Sequence, residues 1–227
     1  MARNFDGTND KIAFGSDGSI DNYNSGKTIS FWMKKVGEGG SKALLMKDAS
    51  TSTWVFIIGA GVNLTYAHQW TTGNGIWTTT ATISAGSIQH VAVTYDAGAL
   101  ANDAVIYIDG VAQALGVDTN PTVGPVLSDA ADILQFGENS AGGSDFNGVI
   151  MCLLYDNRIA SAATINMARW WGRPIGGLQV YHPFFTDKLN NEGSAIANGT
   201  ATGTTVASMA APVVRPGTAM MGMGIGW

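Results

Sequence analysis

Hydrolytic chemistry would start from carboxylates. Cleaving a glycosidic bond takes two of them at a fixed separation, one as acid and one as nucleophile or base. The chain has three glutamates, Glu38, Glu138 and Glu192, and none has another carboxylate two or four residues away. The local sequence supplies no catalytic pair, and no enzyme is expected. His68, His90 and His182 stand apart from any Ser or Cys nucleophile motif. His90, inside an alternating apolar run, reads as a packing and hydrogen-bonding residue. Cys152 is the single cysteine and lies in an apolar stretch. It reads as a buried, inert thiol, and it excludes both an intrachain disulfide and a Cys-based zinc site.

Two further sets of residues could bind rather than react. Trp70 and Trp77 flank the turn TTGNG, with Asn74 between them. An exposed indole can stack on the C–H face of a sugar, so these three are the candidate glycan residues; the alternative is that the rings fill the core or a subunit contact. Asp6 and Asp10, in DGTND, could offer oxygens to calcium, a hard cation. The preferred reading is that Asp6 makes an Asx-turn and Asp10 opens a strand. No cofactor is expected, with calcium as the weaker alternative.

The elements that would position these residues are strands. In GSIQHVAVTYD (86–96), Ile88, His90, Ala92 and Thr94 fall on one face and Gln89, Val91, Val93 and Tyr95 on the other. A Gly/Asn/Asp-containing turn and AVIYIDG follow, which together give a half-buried hairpin. The same patterning predicts strands within 3–14, and at 27–36, 42–47, 54–58, 62–70, 75–83, 111–115, 133–137 and 178–185. Residues 146–155, FNGVIMCLLY, are nearly all apolar and predict a central strand buried on both faces. Residues 116–131 carry two prolines and no periodicity, and read as a loop. One helix is predicted over 161–171, with Ser161 as N-cap and Gly172 and Pro174 ending it.

The bulk composition limits partners. Net charge is −5, and the 12 Lys and Arg residues form no basic stripe, so nucleic acid is excluded as a partner. Charged residues are only 13% and glycines number 30, which suits many turns and a surface covered by partners. The first residues, MARNFDGTND, hold no apolar leader, and no stretch of about 20 apolar residues occurs. Synthesis in a cytoplasm and no membrane insertion are therefore expected. After residue 187 the chain turns small and polar, then rich in Pro, Gly and Met. The expected organisation is a domain over 1–187 and an extended C-terminal arm over 188–227, with Met220, Met221, Met223 and Trp227 as candidate anchors onto neighbouring subunits.

Three stretches resemble the concanavalin A-like, laminin G-like jelly roll: FDGTNDKIAF (5–14), KTISFWMK (27–34), and HVAVTYD (90–96) with VIYIDG (105–110). FNGVIMCLLYDNRIASAATI (146–165) resembles that family's closing strand and following helix. The resemblance implies an all-β antiparallel sandwich with one short helix. Some relatives are glycoside hydrolases with an E-x-D-x-x-E strand motif, which is absent here. Many relatives hold calcium, but the acids common in their closing strand are replaced here by Met151 and Cys152. Residues 176–216 resemble segments of tailed-phage virion proteins. The resemblance therefore implies a non-catalytic virion protein, most simply a capsid decoration protein. It would be made in the host cytoplasm and packed on a major capsid protein, as a homo-oligomer such as a trimer. A glycan-binding adhesin or receptor-binding module, facing host-surface glycan, is the alternative.

Overall fold

The computed structural model describes residues 2–16, 18–21, 25–37, 40–48, 53–138, 142–171, 180–182 and 199–207. The strands are β1 (Ala2–Asp6), β2 (Lys11–Gly15), β3 (Gly26–Lys35), β4 (Lys42–Asp48), β5 (Trp54–Ile58), β6 (Asn63–Thr72), β7 (Asn74–Thr82), β8 (Ile88–Asp96), β9 (Val105–Ile108), β10 (Val111–Ala112), β11 (Leu115–Thr119), β12 (Val123–Val126), β13 (Ile133–Phe136), β14 (Asn147–Asp156), β15 (Val180–His182), β16 (Thr200–Thr202) and β17 (Thr205–Ala207), with a 3-10 turn at Gly18–Ile20 and the helix α1 (Ala162–Trp171) between β14 and β15.

These strands form two antiparallel sheets. One runs β10-β9-β8-β3-β14-β1-β17, with β15 also on β14; the other runs β11-β7-β6-β5-β4-β13-β2-β16, with β12 also on β6. Their inner faces meet in a core whose one end is phenylalanine. Phe31 lies edge-on to Phe136 at 5.1 Å, and Phe5 packs on Phe136 at 5.5 Å. The other end is built from Trp54, Tyr66, Trp77, Tyr95 and Tyr155. Among the described residues the chain forms the expected all-β sandwich with one short helix.

The hairpin of β8 and β9 behaves as its alternation demands. Val91, Val93 and Tyr95 enter the core, while Ala92 faces outward and is covered by Ile165 of α1. Ser161 caps α1 as predicted, its hydroxyl accepting the Thr164 N–H at 3.1 Å. β14 is central and buried, but a bulge between Met151 and Leu154 breaks its period, with Cys152 at φ +55°. Ile150 and Leu153 therefore both reach the core, and Met151 and Cys152 pack outside it with Trp32 and Ala2.

Two expectations need correction. Residues 116–131 are not a bare loop: β11 pairs with β7 and β12 with β6. Each has a register shift, and their residues are mostly exposed, so no apolar alternation marks them. Pro125 sits within the shifted part of β12, where a missing N–H is tolerated. Nor does the sandwich end at residue 187. β16 joins β2 and β17 joins β1, so one short segment edges both sheets on one flank. β10 and β11 do the same on the other flank.

Candidate functional site

An open groove of about 430 Å³ lies at one end of the sandwich. Its floor is Trp70 on β6. One wall is Ala97–Leu100 of the β8–β9 connection, and the other is Pro125–Val126 on β12. Thr71 donates to the Pro125 carbonyl at 2.8 Å and ties that second wall to β6. The connection is held in shape by Asp96, whose side chain accepts the Gly98 N–H at 2.9 Å and whose carbonyl accepts from the Asn102 side chain at 3.0 Å. Leu100 is 36% exposed, whereas Trp70 is only 6% exposed, so little of the indole is open to a ligand.

The register decides where the sequence-nominated residues go. Trp77 pairs with Tyr66 and faces inward, where it is fully buried 4.7 Å from Tyr95. Its ring lies over Gly75, where a Cβ would collide with it. Trp77 is therefore a core residue and no sugar platform. Asn74 pairs with Gln69, which puts it on the outer face of the sheet, opposite Trp70. Of the three nominated glycan residues, Trp70 lines this groove and Trp77 and Asn74 do not. Ala97, Ala99, Leu100 and Pro125 are not legible in the sequence as site residues, because small and apolar residues from distant loops make no motif.

Behind the groove lies an unusually polar interior. Lys27 on β3 is fully buried and pairs across the sheet with Tyr95. Its nitrogen sits 5.0 Å from the centroid of the Trp54 ring and has no hydrogen-bond partner among the described residues. Burial lowers its pKa to about 7, with Asp129 opposing that shift and Lys47 adding to it. Trp54 donates to Asp129 at 3.2 Å, and Lys47 pairs with Asp21 at 2.7 Å. Burial, then the Lys27 charge, holds His68 well below its ordinary pKa. The Trp70 indole nitrogen and the Tyr95 hydroxyl are both buried, and neither has a hydrogen-bond partner among the described residues. The Tyr95 hydroxyl is pushed up to about 12, chiefly by burial and further by Asp96 and Asp103.

A second cleft, of about 340 Å³, separates α1 from the outer face of its sheet. Ser30 lines it and lies 2.8 Å from His90 Nε2. This resembles a nucleophile–base pair, but burial, with Arg169 adding, pulls the His90 pKa down to about 3. An imidazole that weakly basic does not accept a serine proton near neutrality. The pair is a buried polar tie between β3 and β8, and the Trp32 ring packs edge-on to His90 at 5.3 Å.

The two acids of the opening turn hold the turn itself. Asp10 accepts the Asp6 N–H at 2.6 Å, and Asp6 accepts the Thr8 N–H at 2.8 Å. Asp10 also packs on Gly203, where a Cβ would strike its carboxylate. Among the described residues no group of three or more His, Cys, Asp or Glu is placed to hold a metal ion. Glu138 is paired with Lys11 at 2.8 Å. Glu38 and Glu192, and the candidate anchors Met220, Met221, Met223 and Trp227, lie outside the described residues.

Several solved structures share this architecture. A Bacteroides ovatus protein proposed to bind carbohydrate superposes with a TM-score of 0.69 at 18% identity, over 93% of this chain and 60% of its own length. A heptameric SAP-like pentraxin from Limulus polyphemus gives 0.58 at 12% identity, over 90% of this chain and 93% of its own. Botulinum neurotoxin type C, whose cell entry depends on two ganglioside molecules, gives 0.55 at 15% identity, over 80% of this chain and 44% of its own. At such identities the likeness is one of fold. No curated protein matches the sequence. The family model for the concanavalin A-like lectin/glucanases superfamily, of laminin G type, matches residues 6–166, most of the sandwich from the opening turn into α1, and the chain belongs to that superfamily.

Proposed function

We propose that this domain binds glycan without cleaving it, through the groove over Trp70. The observation that carries the reading is the groove itself: an aromatic floor between apolar loop walls at an end of the sandwich. Such a site, mostly apolar with a few polar groups at its edge, suits sugar C–H faces. The carbohydrate role proposed for the Bacteroides protein and the gangliosides named for the neurotoxin support it at the level of fold. The test is titration of the domain against a panel of glycans, with Ala99→Trp as the blocking variant. Ala99 is exposed on the groove wall, so an indole there fills the groove and spares the core. Loss of binding at unchanged melting temperature supports the reading, and undiminished binding overturns it.

A virion setting is the second reading, favoured by the resemblance of residues 176–216 to phage virion segments. In it the protein decorates a capsid as a homo-oligomer made in the host cytoplasm. The sandwich faces outward, and Met220, Met221, Met223 and Trp227 anchor it to neighbouring subunits. Particles assembled with a chain lacking residues 208–227 test it: normal occupancy of the truncated protein overturns the anchor role.

A further inference from the structure

On the reading that the Trp70 groove holds glycan, we infer that its ligand is an uncharged sugar carrying a methyl group, and that Asp96 and Asp103 turn acidic glycans away. The methyl can come from an acetamido or a 6-deoxy substituent. The walls explain the first half. Ala97, Ala99, Leu100, Pro125 and Val126 present methyl and methylene groups, and no lysine or arginine lines the groove. A plain hexose offers mostly hydroxyls to such walls and loses water contacts there without replacement. A methyl seated among them gains by burial.

The charges explain the second half. Asp96 and Asp103 are exposed on the same connection that forms one wall. Asp96 accepts the N–H of the lining residue Gly98 at 2.9 Å, and Asp103 follows the lining residue Leu100 on the same connection. Both charges therefore border the wall that a bound ligand would touch. The Lys27 amine, the cation behind Tyr95, is fully buried and is not part of the lining. A sialate, uronate or sulfate in the groove would meet two like charges and no cation among the lining residues, at a cost of roughly two- to fivefold in affinity per carboxylate at low salt.

The experiment uses the intact chain and matched pairs of free sugars followed by calorimetry or by chemical-shift titration. N-acetylglucosamine is compared with glucose, D-fucose with D-galactose, and glucuronate with glucose. The methyl-bearing member of at least one of the first two pairs is expected to bind about three- to fivefold tighter, the worth of one buried methyl. Which pair responds distinguishes the acetamido from the deoxy source. Glucuronate is expected to bind at least about threefold more weakly than glucose, and Asp103→Lys, or about 0.5 M salt, should narrow that gap. Equal or tighter binding of glucuronate, or no methyl advantage in either pair, overturns the inference. If binding is nonetheless abolished by Ala99→Trp, the glycan groove stands and only its selectivity is wrong. If no sugar binds, or Ala99→Trp changes nothing, the groove reading falls and this inference with it.

Discussion

Lys27 lies with its amine 5.0 Å from the Trp54 ring centroid, fully buried and without a hydrogen-bond acceptor among the described residues. The ring face offsets part of the desolvation cost of a charge there, and the rest appears as a pKa lowered from 10.5 to about 7.

Stability should therefore depend on pH through this amine. Between pH 7 and 10.5 the unfolded chain carries a proton that the folded chain lacks. Unfolding free energy rises with pH across that window, by at most about 1.4 kcal/mol per unit, and the full penalty remains below pH 7. Lys27→Met should raise stability at pH 6 by on the order of 3 kcal/mol and flatten the rise toward pH 10. Urea unfolding of both proteins at several pH values checks this. A wild-type curve with no rise above pH 7 rejects it.

The buried histidine on the opposite face of β8 sets the acid side. With the His90 pKa held down to about 3, the unfolded chain binds the extra proton between pH 6.5 and 3. Stability should fall as pH drops through that range. His90→Gln, which keeps a hydrogen-bonding group toward Ser30, should soften the acid loss. It should leave any glycan affinity unchanged, because His90 is remote from the groove lining. An acid transition of identical steepness in the variant argues against the assignment.

Trp77 and Gly75 form a matched pair. Trp77→Ala should cost about 3–5 kcal/mol, the usual range for emptying an aromatic core site. Gly75→Ala should cost about 1–3 kcal/mol by driving a methyl into that ring. In Trp77→Leu the added methyl at position 75 should cost much less. Denaturant titrations of the single and double variants give the coupling directly, and strict additivity would show that the ring does not determine the glycine.

These residues also show where the sequence was readable. Alternation in HVAVTYD assigned Val91, Val93 and Tyr95 to one face, and the core confirms it. Both Trp70 and Trp77 also stand on inward-facing positions of their strands. Composition alone could not say that one of them would end at the mouth of a groove, because its exposure depends on where residues 97–100 and 125–126 cross. The bulge at Cys152 and the shifted registers of β11 and β12 likewise broke the period that makes strands legible. The packing of Gly203 on Asp10 joins positions nearly a chain length apart, which no local pattern encodes.

Residues 199–207 complete the sandwich, and this gives two truncations opposite outcomes. β16 and β17 cover the free edges of β2 and β1, and Gly203 between them, at φ +76°, lies against the Asp10 carboxylate. A chain ending at Ala207 keeps every described strand and should be the more stable of the two. A chain ending before Gly199 bares edges on both sheets at once and unseats Asp10, whose carboxylate holds the opening turn through Asp6. Bared edges are templates for strand pairing with another chain. That shorter protein should be destabilised by several kcal/mol and should self-associate, whereas Gly203→Ala in the full chain should lose stability without associating. Light scattering and urea unfolding of the three proteins distinguish these cases. Equal stability of the two truncations would mean that residues 199–207 rest on the sandwich without completing it.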